Sequence, residues 1–287
     1  MSLERYYASL SRFQDLARRV GHDTGQREMT VHRRLLAPDG RPSGTVVHER
    51  LLAALAALAA GSPLPAAPRI LDAGCGLGGT TFFLARAVGG DICGITLSPV
   101  QRDRAEQEAR KRGAVGCRFV VRSYDEPLDD LLPDGADLIV AIESLAHAPD
   151  PAATIGRLAA RLRPGGRLAV VDDMPADGLP LDDPDLTAFR RGWLCPAVAP
   201  ASALRRALSA AGAPVAADVD LTALVPRRGP RSLAWRLRLS GLGRRLGLPA
   251  PVAVLVESLH GGLALERLYQ RGAVEYRLLV GVRPGRG

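Results

Sequence analysis

A glycine-rich turn between a strand and a helix is the feature that most constrains how this chain can fold. The segment ILDAGCGLGGTT covers residues 70–81 and begins with an apolar run that predicts a buried strand. Gly74, Gly76, Gly78 and Gly79 let the backbone turn sharply and let a ligand lie against it, because no side chain intervenes. The following helix offers unpaired N–H groups at its start. The turn therefore predicts a small-molecule site at this strand tip.

Strand-like and helical patterns alternate along the middle of the chain. Apolar runs predict strands over 69–74, 91–97, 117–122, 136–142 and 166–172, and helical patterns separate them over 79–88, 99–112 and 151–163. Strands joined by helices of this length form a parallel sheet with right-handed crossovers. Two more strands, near 214–222 and at 273–282, are expected to pair like a hairpin around a helical insertion. The pattern predicts an α/β fold with a seven-stranded, mostly parallel sheet flanked by helices.

Segments that precede and follow this alternation in the chain predict additions to the sheet. Apolar and aromatic residues recur at helical spacing near the start of the chain, so an N-terminal helical cap is expected over 1–62. The ligand-binding core is expected over 63–173. A lid, the sixth strand and a basic helical insertion are expected over 174–272. The closing strand and tail then occupy 273–287.

Composition limits the class of protein. Apolar residues make up 47% of the chain and charged residues 24%, so a substantial core can form and overall disorder is excluded. The four cysteines include no C-x-x-C pair, which disfavours a disulfide framework or a structural zinc site and suits a reducing cytoplasm. The start of the chain lacks a leader-like apolar core, and no run of 18 apolar residues occurs. We expect a cytoplasmic protein without stable membrane insertion.

The net charge of +8 is concentrated towards the end of the chain. From Arg191 onward there are 15 arginines against five acidic residues, and residues 226–248 hold seven arginines and no acid. Trp235, Leu239 and Leu242 lie at helical spacing within that segment. Three interpretations stay open: a grip for an anionic substrate group, a membrane-interface anchor, or a solvated helix face. The solvated helix face is the favoured interpretation, although composition alone does not choose among the three.

Two details distinguish the nucleotides that the glycine turn could bind. Asp72 stands directly before the glycines, where an acid is awkward beside a pyrophosphate but suits a cationic amino-acid moiety. A nicotinamide site also needs an acid about 20 residues further on, for the ribose hydroxyls. Here the second strand ends in Thr96, Leu97 and Ser98, while Asp91 begins it. Dinucleotide binding is therefore disfavoured.

These motifs resemble those of the class I S-adenosylmethionine (SAM)-dependent methyltransferases. The resemblance rests on ILDAGCGLGG, on RLRPGGRLAVVDD before the tip of the fifth strand, and on the closing AVEYRLLVGVRP. GITLSPVQ (94–101) and AIESLAHAPD (141–150) resemble a narrower group that includes cyclopropane-fatty-acid synthases, sterol and tocopherol C-methyltransferases and bacterial natural-product O-methyltransferases. The resemblance implies a Rossmann-like fold, SAM as cofactor, and methyl transfer to oxygen or carbon of a small, largely apolar acceptor such as a secondary metabolite, isoprenoid or lipid-like molecule.

The same resemblance implies which residues contact the cofactor. The matched positions are Asp72, Gly74, Cys75, Gly76, Thr96, Leu97, Gln101, Ser123, Tyr124 and Ile142. The glycine turn would lie along the methionine part of SAM, with Asp72 behind its amino group, and Thr96 to Gln101 would meet the ribose and adenine. Ser123 stands where the family often has an acid beside adenine. Cys75 is expected to be a small residue that presents its carbonyl, without a reactive thiol.

Catalytic groups are expected in AIESLAHAPD, at the tip of the fourth strand, where open parallel sheets place ligands. Glu143 and His147 would point toward the sulfonium methyl. In similar O-methyltransferases the matching histidine deprotonates the acceptor, and in similar C-methyltransferases the matching glutamate accepts a proton or stabilises a cation. Asp172, at the end of the next strand, is expected to orient His147. The competing interpretation is that His147 only caps a turn before Pro149.

Methyl transfer needs an aligned acceptor and exclusion of water, so an apolar lid is expected. Tyr6 and Tyr7 of the N-terminal helix and Trp193 of the 174–199 segment are the expected acceptor contacts. No metal-ligand spacing such as H-E-x-x-H occurs, so no structural metal is expected, whereas magnesium with a diphosphate-bearing substrate stays open.

Two other function classes compete with a small-molecule methyltransferase. A sequence pI near 10 motivates an RNA or protein methyltransferase, but aromatic residues make up only 4% of the chain, too few for base-stacking platforms. The other alternative is a SAM-fold protein that does not methylate, for example a cyclase. We expect a small-molecule acceptor, no nucleic-acid partner, and a monomer or homodimer.

Overall fold

The seven predicted strands form one sheet in the computed structural model, which describes residues 29, 32–58, 63–245 and 249–285. The predicted N-terminal helix, with Tyr6 and Tyr7, lies outside these residues. The strands of the sheet are β1 (Arg69–Ala73), β2 (Asp91–Thr96), β3 (Cys117–Val121), β4 (Ala136–Ile142), β5 (Leu162–Pro175), β6 (Val215–Asp220) and β7 (Val274–Val282).

The order of the strands across the sheet is β3-β2-β1-β4-β5-β7-β6. Neighbours from β3 to β5 pair in parallel, whereas β7 runs antiparallel to both β5 and β6. The predicted hairpin-like pairing of the last two strands and the Rossmann-like, mostly parallel sheet are both confirmed. The chain order reverses between β1 and β4, and open α/β sheets bind ligands at the carboxyl ends of strands beside such a reversal.

Helices cover both faces of the sheet and its carboxyl edge. They are α1 (Val46–Leu58), α2 (Gly79–Ala87), α3 (Pro99–Arg112), α4 (Pro151–Ala160), α5 (Pro184–Trp193), α6 (Ala201–Ala210), α7 (Pro230–Gly243) and α8 (Ala250–Gln270). Because the central strands are buried on both faces, they read as continuous apolar runs, and every residue of β4 is buried.

Three segments differ from the sequence-based prediction. The stretch 174–199, predicted as a loop or cap, contains α5, because Asp183 accepts hydrogen bonds from the first helical amides and Pro184 opens the helix. The fifth strand extends beyond 166–172, since its antiparallel pairing with β7 continues to Pro175. The segment before α1, which falls within the helical cap predicted over 1–62, includes a short antiparallel ladder of Leu35–Leu36 with Pro42–Ser43.

Helices α5, α7 and α8 form a layer over the carboxyl edge of the sheet. A Cβ on Gly192 of α5 would lie 2.5 Å from the Glu257 carbonyl oxygen and 2.8 Å from the Gly261 Cα of α8, so these backbones touch where glycines meet. Leu233 and Leu237 of α7 pack against α8, in one cluster with its residues Leu263 and Ala264. This layer is the roof of the site described next.

Candidate functional site

The glycine turn after β1 has the backbone conformation that its sequence predicts. Gly74, Gly76 and Gly78 have φ values of +94°, +54° and +87°, which residues with a Cβ rarely adopt. A Cβ on Gly74 would lie 2.4 Å from the Cβ of Ser144, just after β4. The Ser144 hydroxyl donates to the Ala73 carbonyl at 2.6 Å. The tips of β1 and β4 are therefore joined at the point where the chain order reverses.

A cavity of about 830 Å³ lies over this edge of the sheet, within the range of about 300–1,000 Å³ typical of ligand sites. Nine of the ten predicted cofactor residues line it: Asp72, Gly74, Cys75, Gly76, Thr96, Leu97, Gln101, Tyr124 and Ile142. Ser123 does not line the cavity, and its hydroxyl oxygen instead accepts a hydrogen bond from the Asp125 amide at 3.0 Å. The Ser123 side chain therefore stabilises a turn.

Asp72 is a buried carboxyl group at the floor of this cavity. Its Oδ2 accepts a hydrogen bond from the Thr81 hydroxyl at 2.7 Å, and burial raises its pKa to about 7. A cation beside it would favour the ionised form, as expected for a carboxylate behind an ammonium group. Burial likewise raises the pKa of the Cys75 thiol well above its ordinary value, which agrees with an unreactive cysteine.

Polar groups at the tip of β2 bind one another. The Thr96 hydroxyl donates to Gln101 Oε1 at 2.8 Å and accepts from the Ser98 amide at 3.2 Å. With its carbonyl oxygen used in this way, Gln101 has its NH₂ group to offer a ligand. Leu97 beside it is 40% exposed, an apolar surface that an adenine ring would cover.

His147 ends a 3₁₀ turn that follows β4, and it lines the cavity. Its Nδ1 lies 3.2 Å from the Leu194 carbonyl oxygen, at the end of α5. A carbonyl oxygen only accepts, so this partner assigns the proton to Nδ1 and leaves Nε2 as the basic nitrogen. Burial lowers the pKa of His147, which keeps the imidazole neutral near pH 7. The contact with the end of α5 thus fixes the tautomer in which Nε2 can accept a proton.

Asp172 has a different position from the one predicted for it. Its Oδ2 accepts from the Ala146 amide and its Oδ1 from the Asp173 amide, both at 2.9 Å, and burial raises its pKa to about 8. The Leu194 carbonyl, and not Asp172, holds Nδ1 of His147. The predicted orienting role of Asp172 is corrected accordingly: this carboxyl group positions the backbone just before the histidine.

Glu143 follows β4 with a φ of +48°, a strained conformation for a residue with a long side chain. Its Oε1 accepts from the Arg33 amide at 3.0 Å and from the Tyr276 hydroxyl at 2.8 Å. Glu143, which the sequence predicted as a catalytic group, thus lines the cavity. Its carboxylate is bound both to the segment before α1 and to β7. These contacts account for the strained backbone.

A buried cluster around Arg33 was not predicted from the sequence. The guanidinium donates to Asp173 Oδ2 at 2.9 Å and stacks on the rings of Tyr269 and Tyr276, 5.0 and 5.1 Å from their centroids. Burial alone would lower the pKa of Arg33, but Asp173 and the neighbouring groups raise it above its ordinary value. The one available signal was the pair Asp172 and Asp173 within the apolar run of β5, because a buried carboxylate requires a cation or proton.

Apolar side chains line the outer part of the cavity, beneath the lid. They include Phe189, Trp193, Val225, Leu255, Leu259 and Leu263. Trp193, a predicted acceptor contact, donates from Nε1 to the Ser258 carbonyl at 3.0 Å, so its ring contributes apolar surface. Arg228 and Glu266 also line this part and form an ion pair with each other. Tyr6 and Tyr7, the other predicted acceptor contacts, lie outside the described residues.

Two histidines that the sequence did not predict to interact, His32 before α1 and His48 in α1, meet beside the start of α2. His32 Nε2 is 3.1 Å from His48 Nε2, which is 2.9 Å from the Thr80 hydroxyl. Burial lowers the pKa of His48 to about 3, so this ring is neutral. In the described ranges, no group of three or more His, Cys, Asp or Glu side chains is arranged to hold a metal ion.

Comparison with known proteins agrees with this geometry. Residues 71–168 match the family model described as a methyltransferase domain. Tocopherol O-methyltransferase of Arabidopsis thaliana is 38% identical over 105 residues, which are 36% of this chain and 29% of that protein. O-methyltransferase cnsE of Penicillium expansum is 34% identical over 180 residues, 62% of each chain. The chain thus spans less than two thirds of the length of these relatives.

The whole fold also matches a solved structure, that of the [4+2]-cyclase SpnF. The two chains are 22% identical with a TM-score of 0.65, over 96% of each. At this identity the likeness concerns the fold alone. The sheet order and the glycine turn agree with the family match, so residues 71–168 form the methyltransferase domain of this chain.

Proposed function

We propose that this chain, which contains a methyltransferase domain, transfers a methyl group from SAM to an oxygen of a small, largely apolar acceptor. The observation that carries the proposal is one cavity that holds the glycine turn, a neutral histidine and an apolar lid. Cofactor and acceptor sites that share a cavity let the two reacting groups be aligned. A secondary metabolite, isoprenoid or lipid-like molecule suits the apolar lining.

SAM supplies an already activated methyl group on its sulfonium. The residues that would hold SAM are the nine predicted cofactor residues that line the cavity. The glycine turn would admit the methionine part of SAM, the Asp72 carboxylate would pair with its ammonium group, and Leu97 with the Gln101 NH₂ group would receive the adenine. The buried floor and the lid exclude water from the reacting atoms.

His147 acts as the general base in this proposal. The Leu194 carbonyl holds the proton on Nδ1, so Nε2 takes the proton from the acceptor hydroxyl. Its lowered pKa keeps the base unprotonated at neutral pH. A positioned general base contributes about 10²- to 10⁴-fold to a rate.

Methylation of carbon is the second candidate, because Glu143 also lines the cavity. Its carboxylate, held by Arg33 and Tyr276, would stabilise a carbocation or accept its proton. Glu143→Gln would then be more damaging than His147→Ala. A fold shared with a cyclase adds a third outcome, in which SAM binds without being consumed.

Titration calorimetry with S-adenosylhomocysteine tests the cofactor site. Gly76→Val should abolish binding, since a side chain would fill the space of the methionine moiety, whereas Gly156→Val on α4, where no atom lies near the added group, should bind normally. Circular dichroism confirms that both variants fold. Incubation with labelled SAM and candidate acceptors then identifies the product. Bound cofactor without labelled product would favour the cyclase alternative, and unchanged binding by Gly76→Val contradicts the site.

We further propose a cytoplasmic enzyme, a monomer or homodimer, that has no nucleic-acid partner. Filter binding with bulk RNA checks the last point. Saturable, salt-resistant binding would revive the RNA methyltransferase alternative.

A further inference from the structure

Helix α7 carries apolar residues on two opposite sides, and only one of them is packed. Leu233, Leu237 and Ser240 are buried toward α8. Trp235, Leu239 and Leu242 are 61%, 48% and 59% exposed. At about 100° per residue, these two stripes lie on opposite sides of the helix. The outer stripe is therefore a surface feature that the core does not account for.

Arginines flank this outer stripe. Arg231 and Arg238, seven residues apart, lie along one of its edges, and Arg236 lies on the other side. All three are exposed, and none has an ion-pair partner among the residues that the structure describes. Helix α7 contains no acidic residue. We call Trp235, Leu239, Leu242, Arg231, Arg236 and Arg238 the α7 face.

We propose that the α7 face docks this protein on an anionic lipid bilayer surface. Trp235 and the two leucines enter the boundary between headgroups and acyl chains, and the arginines contact lipid phosphates. A basic amphipathic helix with an aromatic residue on its apolar side has the composition of an interfacial anchor. None of the described helices combines the length and apolar character needed to cross a bilayer, so the association is peripheral.

Charge selects a bilayer over a second copy of this chain. Pairing of two α7 faces would bring their arginines together without an acid on either helix, and like charges across an interface are unfavourable. An anionic lipid surface complements the same arginines and covers the apolar stripe.

The position of α7 relates this surface to the cavity. Leu259 of α8 lines the cavity and is also 52% exposed, so the cavity opens on the helix against which α7 packs. A protein docked through α7 holds that opening close to the lipid, from which an apolar molecule can enter. The docking itself does not depend on the proposed methyl transfer.

Sedimentation of the full chain with extruded vesicles tests the proposal. Vesicles of phosphatidylcholine with phosphatidylglycerol should bind the protein and shift Trp235 emission to the blue, and phosphatidylcholine alone should bind it weakly. The triple variant Arg231→Gln, Arg236→Gln, Arg238→Gln should lose about a hundredfold in affinity, at about one kcal/mol per arginine. The double variant Trp235→Ser, Leu239→Ser should lose binding to the anionic vesicles.

Matched controls separate a built surface from general positive charge. Arg50→Gln, Arg110→Gln and Arg206→Gln together remove the same charge from exposed positions on other helices and should leave binding within about threefold. Circular dichroism checks the fold of each variant. The proposal is overturned by absent binding to anionic vesicles, by equal losses in the control triple, or by a dimer in sedimentation velocity that Trp235→Ser dissociates while vesicle binding persists unchanged.

Discussion

The two ends of the cavity are built in different ways. At the cofactor end, the glycine turn and the Thr96–Gln101 contact are formed by residues close together in the sequence. At the acceptor end, the Arg33–Asp173 and Tyr276–Glu143 contacts join residues 140 and 133 positions apart. Contacts between residues close in the sequence therefore shape most of the proposed cofactor end, while the proposed acceptor end depends on contacts that only the completed fold makes. Perturbations of the two ends should have different consequences.

The largest expected effect is on turnover. Replacing His147 with alanine should lower kcat by about 10²- to 10⁴-fold, because the acceptor loses its general base. Affinity for S-adenosylhomocysteine should stay the same, since the change lies at the acceptor end. His260→Ala, a histidine bonded to Ser240 of α7, is the control and should keep near-normal activity. Losses below about tenfold in both His147→Ala and Glu143→Gln would contradict the assigned chemistry.

The next effect concerns stability. Arg33→Met leaves the buried Asp173 carboxylate without its cation and should cost about 3–5 kcal/mol in the free energy of unfolding. Arg69→Met removes an exposed ion pair with Asp134 and should cost far less, because solvent screens the two charges. Urea denaturation measures both, and Arg33→Met with Asp173→Asn should be more stable than Arg33→Met alone. Equal costs for the two arginines would show that the Arg33 cluster does not hold the acceptor end together.

Affinity for the cofactor should depend on pH. Burial raises the pKa of Asp72 to about 7, so its carboxylate fraction grows as the pH rises through 7. Affinity for S-adenosylhomocysteine should therefore rise from pH 6 to 8 by up to about tenfold, because only the ionised form attracts the ammonium. In Asp72→Asn the affinity should be lower and nearly flat over this range. Calorimetry at several pH values decides, and an unchanged slope in the variant would remove Asp72 from the ammonium site.

Stability should respond to pH in the opposite direction. Asp72 binds protons more tightly in the folded chain than in the unfolded chain, so its contribution to stability is full below the ordinary pKa and is lost as pH rises toward 7. Thermal melting of wild type and Asp72→Asn between pH 5 and 8 measures it. If the melting temperature of the wild type falls with pH no more steeply than that of Asp72→Asn, the raised pKa of Asp72 is contradicted.

The smallest effect tests the lid. Trp193→Phe removes the hydrogen bond to the Ser258 carbonyl but keeps an aromatic ring, so it should cost about 0.5–1.5 kcal/mol. We expect a several-fold rise in the KM for the acceptor and no change in cofactor affinity. A rise in the cofactor Kd instead would mean that the two ends of the cavity are not separable.

The contrast between the two ends also explains what the sequence could predict. Glycines, a strand-tip acid and alternating apolar runs have meaning over a few residues, so the mostly parallel sheet and a ligand site at the glycine turn followed from them. The ten cofactor positions came from the family resemblance that these motifs carry, and nine of them line the cavity. The partner of His147 did not, because a backbone carbonyl has no sequence signature and Leu194 is 47 residues away. Arg33 lay in a segment without periodicity, and only folding brings it to Asp173.

The glycine crossing of α5 and α8 has a consequence for how acceptor preference can diversify. Because a side chain at Gly192 or Gly261 would strike the facing backbone, the spacing of the roof is fixed, and the room beneath it cannot be changed by moving the helices. Variation in substrate range must then come from side chains that project from this rigid frame, such as Leu255 and Leu259. A library that varies those two positions and conserves both glycines should yield folded enzymes with altered acceptor choice, whereas randomising the glycines should yield mostly insoluble protein.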